Sequence, residues 1–544
     1  MNKRQAFLAF KIFFSVCLIT ISFSELALAQ SYNIKNDSFW DTKNGKPIYS
    51  QGGGIFKFSD PEMGEEKYYW YGVYYKQAET YRKDPSVTQR GVGFEGVTCY
   101  SSTDLVNWEF EANVLIPDEV FKESDGRRRG WLGRTGVAYV KEANKYVLII
   151  QYNDRVLFTV SNSPTGPFKY QHVKSMMDWI GTSNTGDQTV FTDEDTGKSY
   201  LVYSYGKGRH KIYISEIGLK NDTLTLLNYK QVFEGAGREG NCMFKYKGKY
   251  YLAASQLYGW DGSLAYYLVA DEVWGPYLPE NDMQVFPGCE DDYAHISQTG
   301  FFYTVRGRKQ ETVIFCGDRW ANFAGNGLGY NQWCPLSFDG YVPYFNSLNS
   351  WNLNEETGEW HVAADNNYVK NPSFEADRKE MPSPVKPVQT RLLGWETTVI
   401  KGTEISLDSL SPVLNHPNTE EERKLVIGER SLNMSDRVEF IRKVHQKIDS
   451  SPYVKFENGN YILTAKVKNS EGFNKLEMYA KSGEKRFDVS IKEGNETWTT
   501  VSIENVEVKN NEIEIGFLAD GKAGAYCLVD DVSLVKSNNE NQLR

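Results

Sequence analysis

The sequence predicts an all-β molecule: a five-bladed β-propeller followed by a jelly-roll-type β-sandwich. Three observations carry this reading. A turn rich in Gly, Lys, Asn or Asp, followed by a short apolar-aromatic strand, recurs five times in the first two-thirds of the chain. Segments with a helical period are nearly absent from that stretch. After Trp360 the aromatic repeat stops, and strands that alternate apolar and polar residues take over.

The elements follow in order. Lys3 and Arg4 precede an apolar run from Ile12 to Phe23, and Ala27-Leu28-Ala29 closes it in a small-x-small pattern, so residues 1–29 read as a secretory signal peptide. A secreted or periplasmic location is therefore expected, and no later stretch is long and apolar enough to span a membrane. Residues 31–365 hold the repeat: EEKYYWYGVYY (65–75), ANKYVLIIQY (143–152), TGKSYLVYSY (196–205), KGKYYLAASQ (247–256) and RKQETVIFCGD (308–318). Another short apolar run precedes each copy, as GGGIFKF precedes the first, so each unit is a hairpin. CYSSTDLVNWEF, SNSPTGPFKY and ADEVWGPYLPE supply outer strands. Hairpins with outer strands between them make blades of four strands. Residues 368–537, with segments such as YILTAKVKN and EIEIGFLA, form the sandwich, and 538–544 are an expected disordered tail.

In a propeller the innermost strand of each blade runs along the central channel, so residues at its start converge although a blade separates them in sequence. Glu239 stands at that point of blade four, ahead of CMFKYKGKYYL, and Asp187 at that point of blade three, ahead of QTVFTDEDTGKSYL. Two acids in register on adjacent blades suit glycoside hydrolysis, which uses a pair of carboxyl groups. Asp193, Glu194 and Asp195 read instead as turn formers.

In EGNCMFKYKGKYYL and DQTVFTDEDTGKSYL the chain resembles glycoside hydrolase family 43, five-bladed propellers that invert configuration at arabinofuranosides, xylosides or galactosides. QGGGIFKF, CYSSTDLVNW, LYGW, SQTGFF and GDRW are similar to the exo-β-1,3-galactanase branch of that family. The resemblance implies that Glu239 is the general acid and Asp187 the residue that tunes it. Family members usually carry an aspartate base on the first strand of blade one, where this chain reads Ser50-Gln51-Gly52-Gly53-Gly54. The galactanase-like branch uses a glutamine instead, in a motif that Ser297-Gln298 matches, which implies that Gln298 holds the attacking water. Acid and water-holding group are then expected about 6.5–9.5 Å apart. The branch's blade-two glutamate is also missing, since the chain shows Gly133-Arg134-Thr135-Gly136.

Gln51, Gly53 and Arg134 are assigned to substrate binding from these strand starts. Tyr258, Trp260 and Trp320 are candidate stacking platforms or core residues. Asp318 and Arg319 are candidates to bind hydroxyls or to pair with each other. His295 stands near where relatives place an axial histidine. VKNPSFEADR and CLVDDVSLVK resemble the ends of a carbohydrate-binding module, implying a structural Ca2+ at Glu375 and Asp531. Trp395 and Trp498 either stack on sugar or fill the core. No cofactor is expected for catalysis.

The expected function is an exported inverting exo-glycosidase that releases galactose or a pentofuranose from plant-type polysaccharide. The alternative is a carbohydrate-binding propeller whose catalytic machinery has decayed. With 61 Lys and Arg against 71 Asp and Glu the chain is acidic, which argues against nucleic-acid partners and leaves oligo- or polysaccharide as the partner. Cys99, Cys242, Cys289, Cys316, Cys334 and Cys527 show no CxxC spacing and read as buried thiols.

Overall fold

The five predicted hairpins are the inner halves of five antiparallel sheets. A computed structural model describes residues 33–537 apart from 60–63, 90–91, 123–131, 154, 184, 322–326, 377–391, 404–414 and 427. The expected leader and tail lie outside the described residues. Blade one runs Gln51–Ser59, Glu66–Tyr75, Phe94–Ser102 and Glu109–Leu115, each strand paired with the next. The first hairpin sets Phe56 opposite Tyr69. Blades two, four and five repeat this order from Leu132, Glu239 and Gln298. Blade three, from Gln188, carries a fifth strand, Lys230–Glu234, on its third. The expected outer segments fall at the turns between third and fourth strands. The innermost strands touch around the ring, fifth against first.

Two devices close the ring. Asn33–Lys35 pairs with Ser350–Leu353, which joins the start of the propeller to its end. Where blade one meets blade five, the fully buried Trp70 lies 5.3 Å from Trp108 and 5.0 Å from Trp333, centroid to centroid. Each such ring contributes roughly 1.5–3 kcal/mol by burial, which explains why the repeat is so aromatic.

The second domain is two five-stranded sheets face to face. Phe440–Asp449 alternates buried and exposed positions along its length, as a strand with one face on a core must. Trp395 belongs to that core, 2% exposed and 5.5 Å from Phe374; Trp498 is half-buried at the edge. Polar contacts tie the domains together. The Arg423 guanidinium donates to the Ser86 carbonyl and to Thr88 Oγ1, both at 3.0 Å, and Lys370 pairs with Asp291 at 2.9 Å. The six cysteines named above are buried and unpaired. Among the described residues no helix is long and apolar enough to cross a membrane.

Candidate active site

Each blade delivers one polar side chain to the same end of the channel: Gln51, Arg134, Asp187, Glu239 and Gln298, in blade order. All five line one cavity of about 160 Å³, which Trp260 and Trp320 also face. In blades one, two, four and five a β-bulge inserts an extra residue close to the start of the innermost strand. Bulges re-aim side chains, and here they turn strand ends toward the axis. Gly240, beside Glu239, has φ +61°, and a Cβ there would lie 2.3 Å from the Thr299 carbonyl oxygen. Only glycine lets blade four approach blade five this closely.

Glu239 is 5% exposed. Its Oε1 accepts from Gln298 Nε2 at 2.8 Å, and its Oε2 pairs with the Arg209 guanidinium. Burial pushes its pKa up to about 8, with the nearby Asp187 carboxylate adding to the rise; Arg209, Arg134 and the Gln298 amide pull the other way and lose. Asp187 Oδ2 accepts the Gly240 N–H at 2.8 Å and lies 3.7 Å from Arg134 Nε. The two acids therefore share one cavity, as their strand positions require.

Arg134 organises the rest. It donates to Asp318 at 2.7 Å, to Gln298 Oε1 at 3.0 Å and to the Thr299 carbonyl at 3.3 Å. Asp318 stands behind it, also accepting the Gly52 N–H at 3.1 Å; burial raises its pKa against the pull of Arg134. The blade-two carboxylate is thus replaced by a cation that neutralises two neighbouring acids.

Gln298 lies closer to the acid than the spacing rule for an inverting pair requires. Its Oε1 takes hydrogen bonds from Arg134 and, at 2.8 Å, from Trp320 Nε1, while its Nε2 reaches Glu239 directly. The reason is topological: blade five adjoins blade four. Gln51 stands two blades from Glu239. Its Nε2 donates to the Gly329 carbonyl at 3.3 Å, and its Oε1 is buried with no hydrogen-bond partner. An unsatisfied buried carbonyl costs about 1–3 kcal/mol, and it belongs to a side chain on the cavity wall.

Besides Asp318, which pairs with Arg134 rather than with Arg319, four expected binding residues fall outside the cavity. Gly53 packs on the second strand, where a Cβ would meet the Tyr71 carbonyl at 1.7 Å. Tyr258 is buried outside the cavity. His295, 3% exposed, lies 3.1 Å from Asp37; burial alone would lower its pKa, but Asp37 and Asp292 hold it up at about 9. Arg319 pairs with the same Asp37 and donates to Ser373 of the second domain at 3.2 Å. These two charged side chains brace the propeller closure and do not line the reaction cavity. Trp260 and Trp320 meet edge to face at 5.0 Å on the cavity wall. Arg209 escaped the sequence reading: it sits in a turn, KGRHK, with φ +50°, and nothing local marks it as a partner of an acid in the next blade.

Glu375 and Asp531 do not fit a cation. Glu375 accepts the Arg430 N–H at 2.7 Å, and Asp531 pairs with Lys466 at 3.0 Å. Among the described residues no group of three or more His, Cys, Asp or Glu could hold a metal ion.

The family model for glycosyl hydrolases family 43 matches residues 59–329. In structure the chain is similar to an exo-β-1,3-galactanase from Phanerochaete chrysosporium solved with β-1,3-galactotriose: 19% identity, TM-score 0.52, covering 92% of this chain and 100% of that one. It is equally similar to an exo-β-1,3-galactanase from Clostridium thermocellum, with 19% identity, TM-score 0.52, and 93% and 100% covered. At that identity the likeness shows the fold, and it runs through both domains. No curated protein matches the chain in sequence.

Proposed function

The propeller belongs to glycosyl hydrolases family 43, and on that premise we propose that the chain is an exported, inverting exo-glycosidase releasing terminal galactose from arabinogalactan-type polysaccharide. The single observation that carries this is the buried Glu239, with a pKa near 8, meeting Asp187 in a cavity fed by all five blades. The cavity volume of about 160 Å³ lies well below the roughly 300–1,000 Å³ of sites for drug-sized ligands. That suits one terminal sugar ring, hence exo action.

The chemistry follows from the geometry. At neutral pH Glu239 is largely protonated and gives its proton to the leaving oxygen. Asp187 and Gln298 fix its orientation, and Arg209 meets the glutamate as it becomes negative. The attacking water comes from the opposite face of the sugar; its oxygen bonds to the anomeric carbon as the glycosidic bond breaks, its extra proton passes to solvent, and solvent reprotonates Glu239 for the next turnover. Gln51 lies across the channel with a free carbonyl oxygen, so the water-holding role passes to Gln51 from Gln298, whose carbonyl is already used. Trp260 and Trp320 supply apolar walls for the ring. Enzymes of this family need no cofactor, and calcium has no part in this reading because Asp531 is committed to Lys466.

Incubation with aryl β-galactoside, aryl α-arabinofuranoside and arabinogalactan tests the proposal. Release of galactose supports it, and release of arabinose alone would move the substrate to a pentofuranose. The missing carboxylate across the channel favours a second reading, a sugar-binding propeller without turnover. Saturable binding of galactan with no product from any substrate would establish that instead.

A further inference from the structure

A second cavity, of about 210 Å³, lies between the propeller and the second domain, and Trp320 lines both it and the active-site cavity. On the propeller side it is walled by Tyr81, Trp320 and Tyr330; on the other by Leu425 and Val426. The two tyrosine rings lie 6.2 Å apart, tilted at 54°. Trp320 is held in place by its bond to Gln298 and by the edge of Trp260. Its indole thus separates the ring-sized reaction cavity from the interdomain space.

The second-domain wall is fixed rather than loose. Residues Glu420–Arg423 form a short helix closed by a capping box between Thr419 and Glu422. From its end Arg423 grips Ser86 and Thr88 of blade one. Leu425, two residues on, is nevertheless 49% exposed. An apolar side chain held out beside aromatic rings, in a cavity that shares Trp320 with the reaction cavity, suits the apolar faces of a sugar.

Charged side chains of both signs also line this space, Arg319, Arg423, Lys424 and Lys466 beside Glu375 and Glu429. Arg319 pairs with Asp37, Lys466 with Asp531 and Lys424 with Glu421. These groups offer donors and acceptors to the hydroxyls of a neutral sugar.

We infer that the interdomain cavity is a leaving-group subsite, in which the second domain binds the neutral sugar residues that continue the chain beyond the scissile bond. The inference rests on the glycosidase reading for its direction. The reaction cavity takes the terminal ring; the remainder of the chain must leave past its rim, and Trp320 with Leu425 gives it a surface there. The second domain is then part of the substrate site, not a detached anchor.

The test compares substrates of one sugar and different length. Leu425→Asp alters an exposed side chain and should leave folding intact, and Lys424→Ala is a control at the same rim. For wild type, kcat/KM should rise from the aryl β-galactoside to β-1,3-galactotriose. Leu425→Asp should cut the triose value about fivefold to tenfold and keep the aryl value within about twofold. Equal ratios in wild type and Leu425→Asp would overturn the subsite while leaving the glycosidase reading intact. If wild type cleaves neither substrate, that reading fails on its own. Titration of galactotriose into wild type and Leu425→Asp then decides the subsite: weaker binding to the variant supports it, and identical or absent binding overturns it.

Discussion

The innermost strand Glu239–Tyr246 carries a charged group at each end of the channel, and the two ends behave in opposite ways. At the hairpin end Lys245 lies 2.9 Å from Asp193 and 2.8 Å from Asp195, and Arg306 also pairs with Asp195. Hydrogen bonds from Arg306 and Lys245 hold the half-exposed Asp195 down at about 2. At the strand-start end Glu239 also has a guanidinium partner, yet burial drives it up to about 8. Acids with cations at their side populate both ends. Asp193 is as buried as Glu239, 2% against 5% exposed, so burial alone does not separate the two ends; Asp193 has the Lys245 ammonium beside it, and Glu239 shares its cavity with a second acid, Asp187. One end holds the blades together, and the other holds them together less well in exchange for chemistry.

Breaking the reactive end should have the largest effect. Glu239→Gln should lower kcat on galactosides by about 10² to 10⁴, measured with an unactivated disaccharide whose leaving group needs the proton. Gln51→Leu comes next, at about 10- to 100-fold in kcat if the amide holds the water. Its Tm should change little, because the substitution removes an unsatisfied buried carbonyl together with the donor to the Gly329 carbonyl. That split separates a role in the reaction from one in folding.

The pH dependence sharpens the comparison. Glu239 has a folded pKa raised above its ordinary 4.5. Its contribution to stability is full below about 4.5 and is lost as pH rises through about 8, since the folded state there binds more protons than the unfolded. Activity should fall over the same upper limb as the proton leaves. In urea unfolding, Glu239→Gln should gain on wild type as pH goes from 5 to 8. An unchanged difference would remove the buried acid from the account.

At the other end, Asp193→Asn should leave kcat within about twofold and cost about 1–3 kcal/mol, because Lys245, 11% exposed, loses a buried partner. Smallest of all is the response to chelation. EGTA should leave Tm unchanged, given that Lys466 occupies Asp531. A clear fall in Tm would show a cation where the structure has an ammonium.

How legible this was in the sequence depends on the distance over which each feature is encoded. Hairpins are local, so KGKYYLAAS and its counterparts announce the blades, and strand starts then bring Asp187 and Glu239 together by symmetry. Arg209 is not legible this way: a basic turn residue looks alike whether it points to solvent or to Glu239. Gln298 lines the same cavity as Glu239 but on the acid's side of it, since blade order, which the SQTGFF motif does not encode, puts blade five beside blade four. His295 and Arg319 look like site residues in sequence because they flank Gln298 and Trp320, yet one aspartate, Asp37 from before the first blade, draws both away. No spacing rule predicts a partner that far along the chain.

The anomer released first shows from which side of the sugar the water attacks. Proton NMR of a β-linked galactoside during early turnover should show the α-anomer appearing first, because water arrives across the channel from Glu239. If the β-anomer appears first, attack came from the acid's own side or through a covalent intermediate, and the division of labour between blades one and four is wrong.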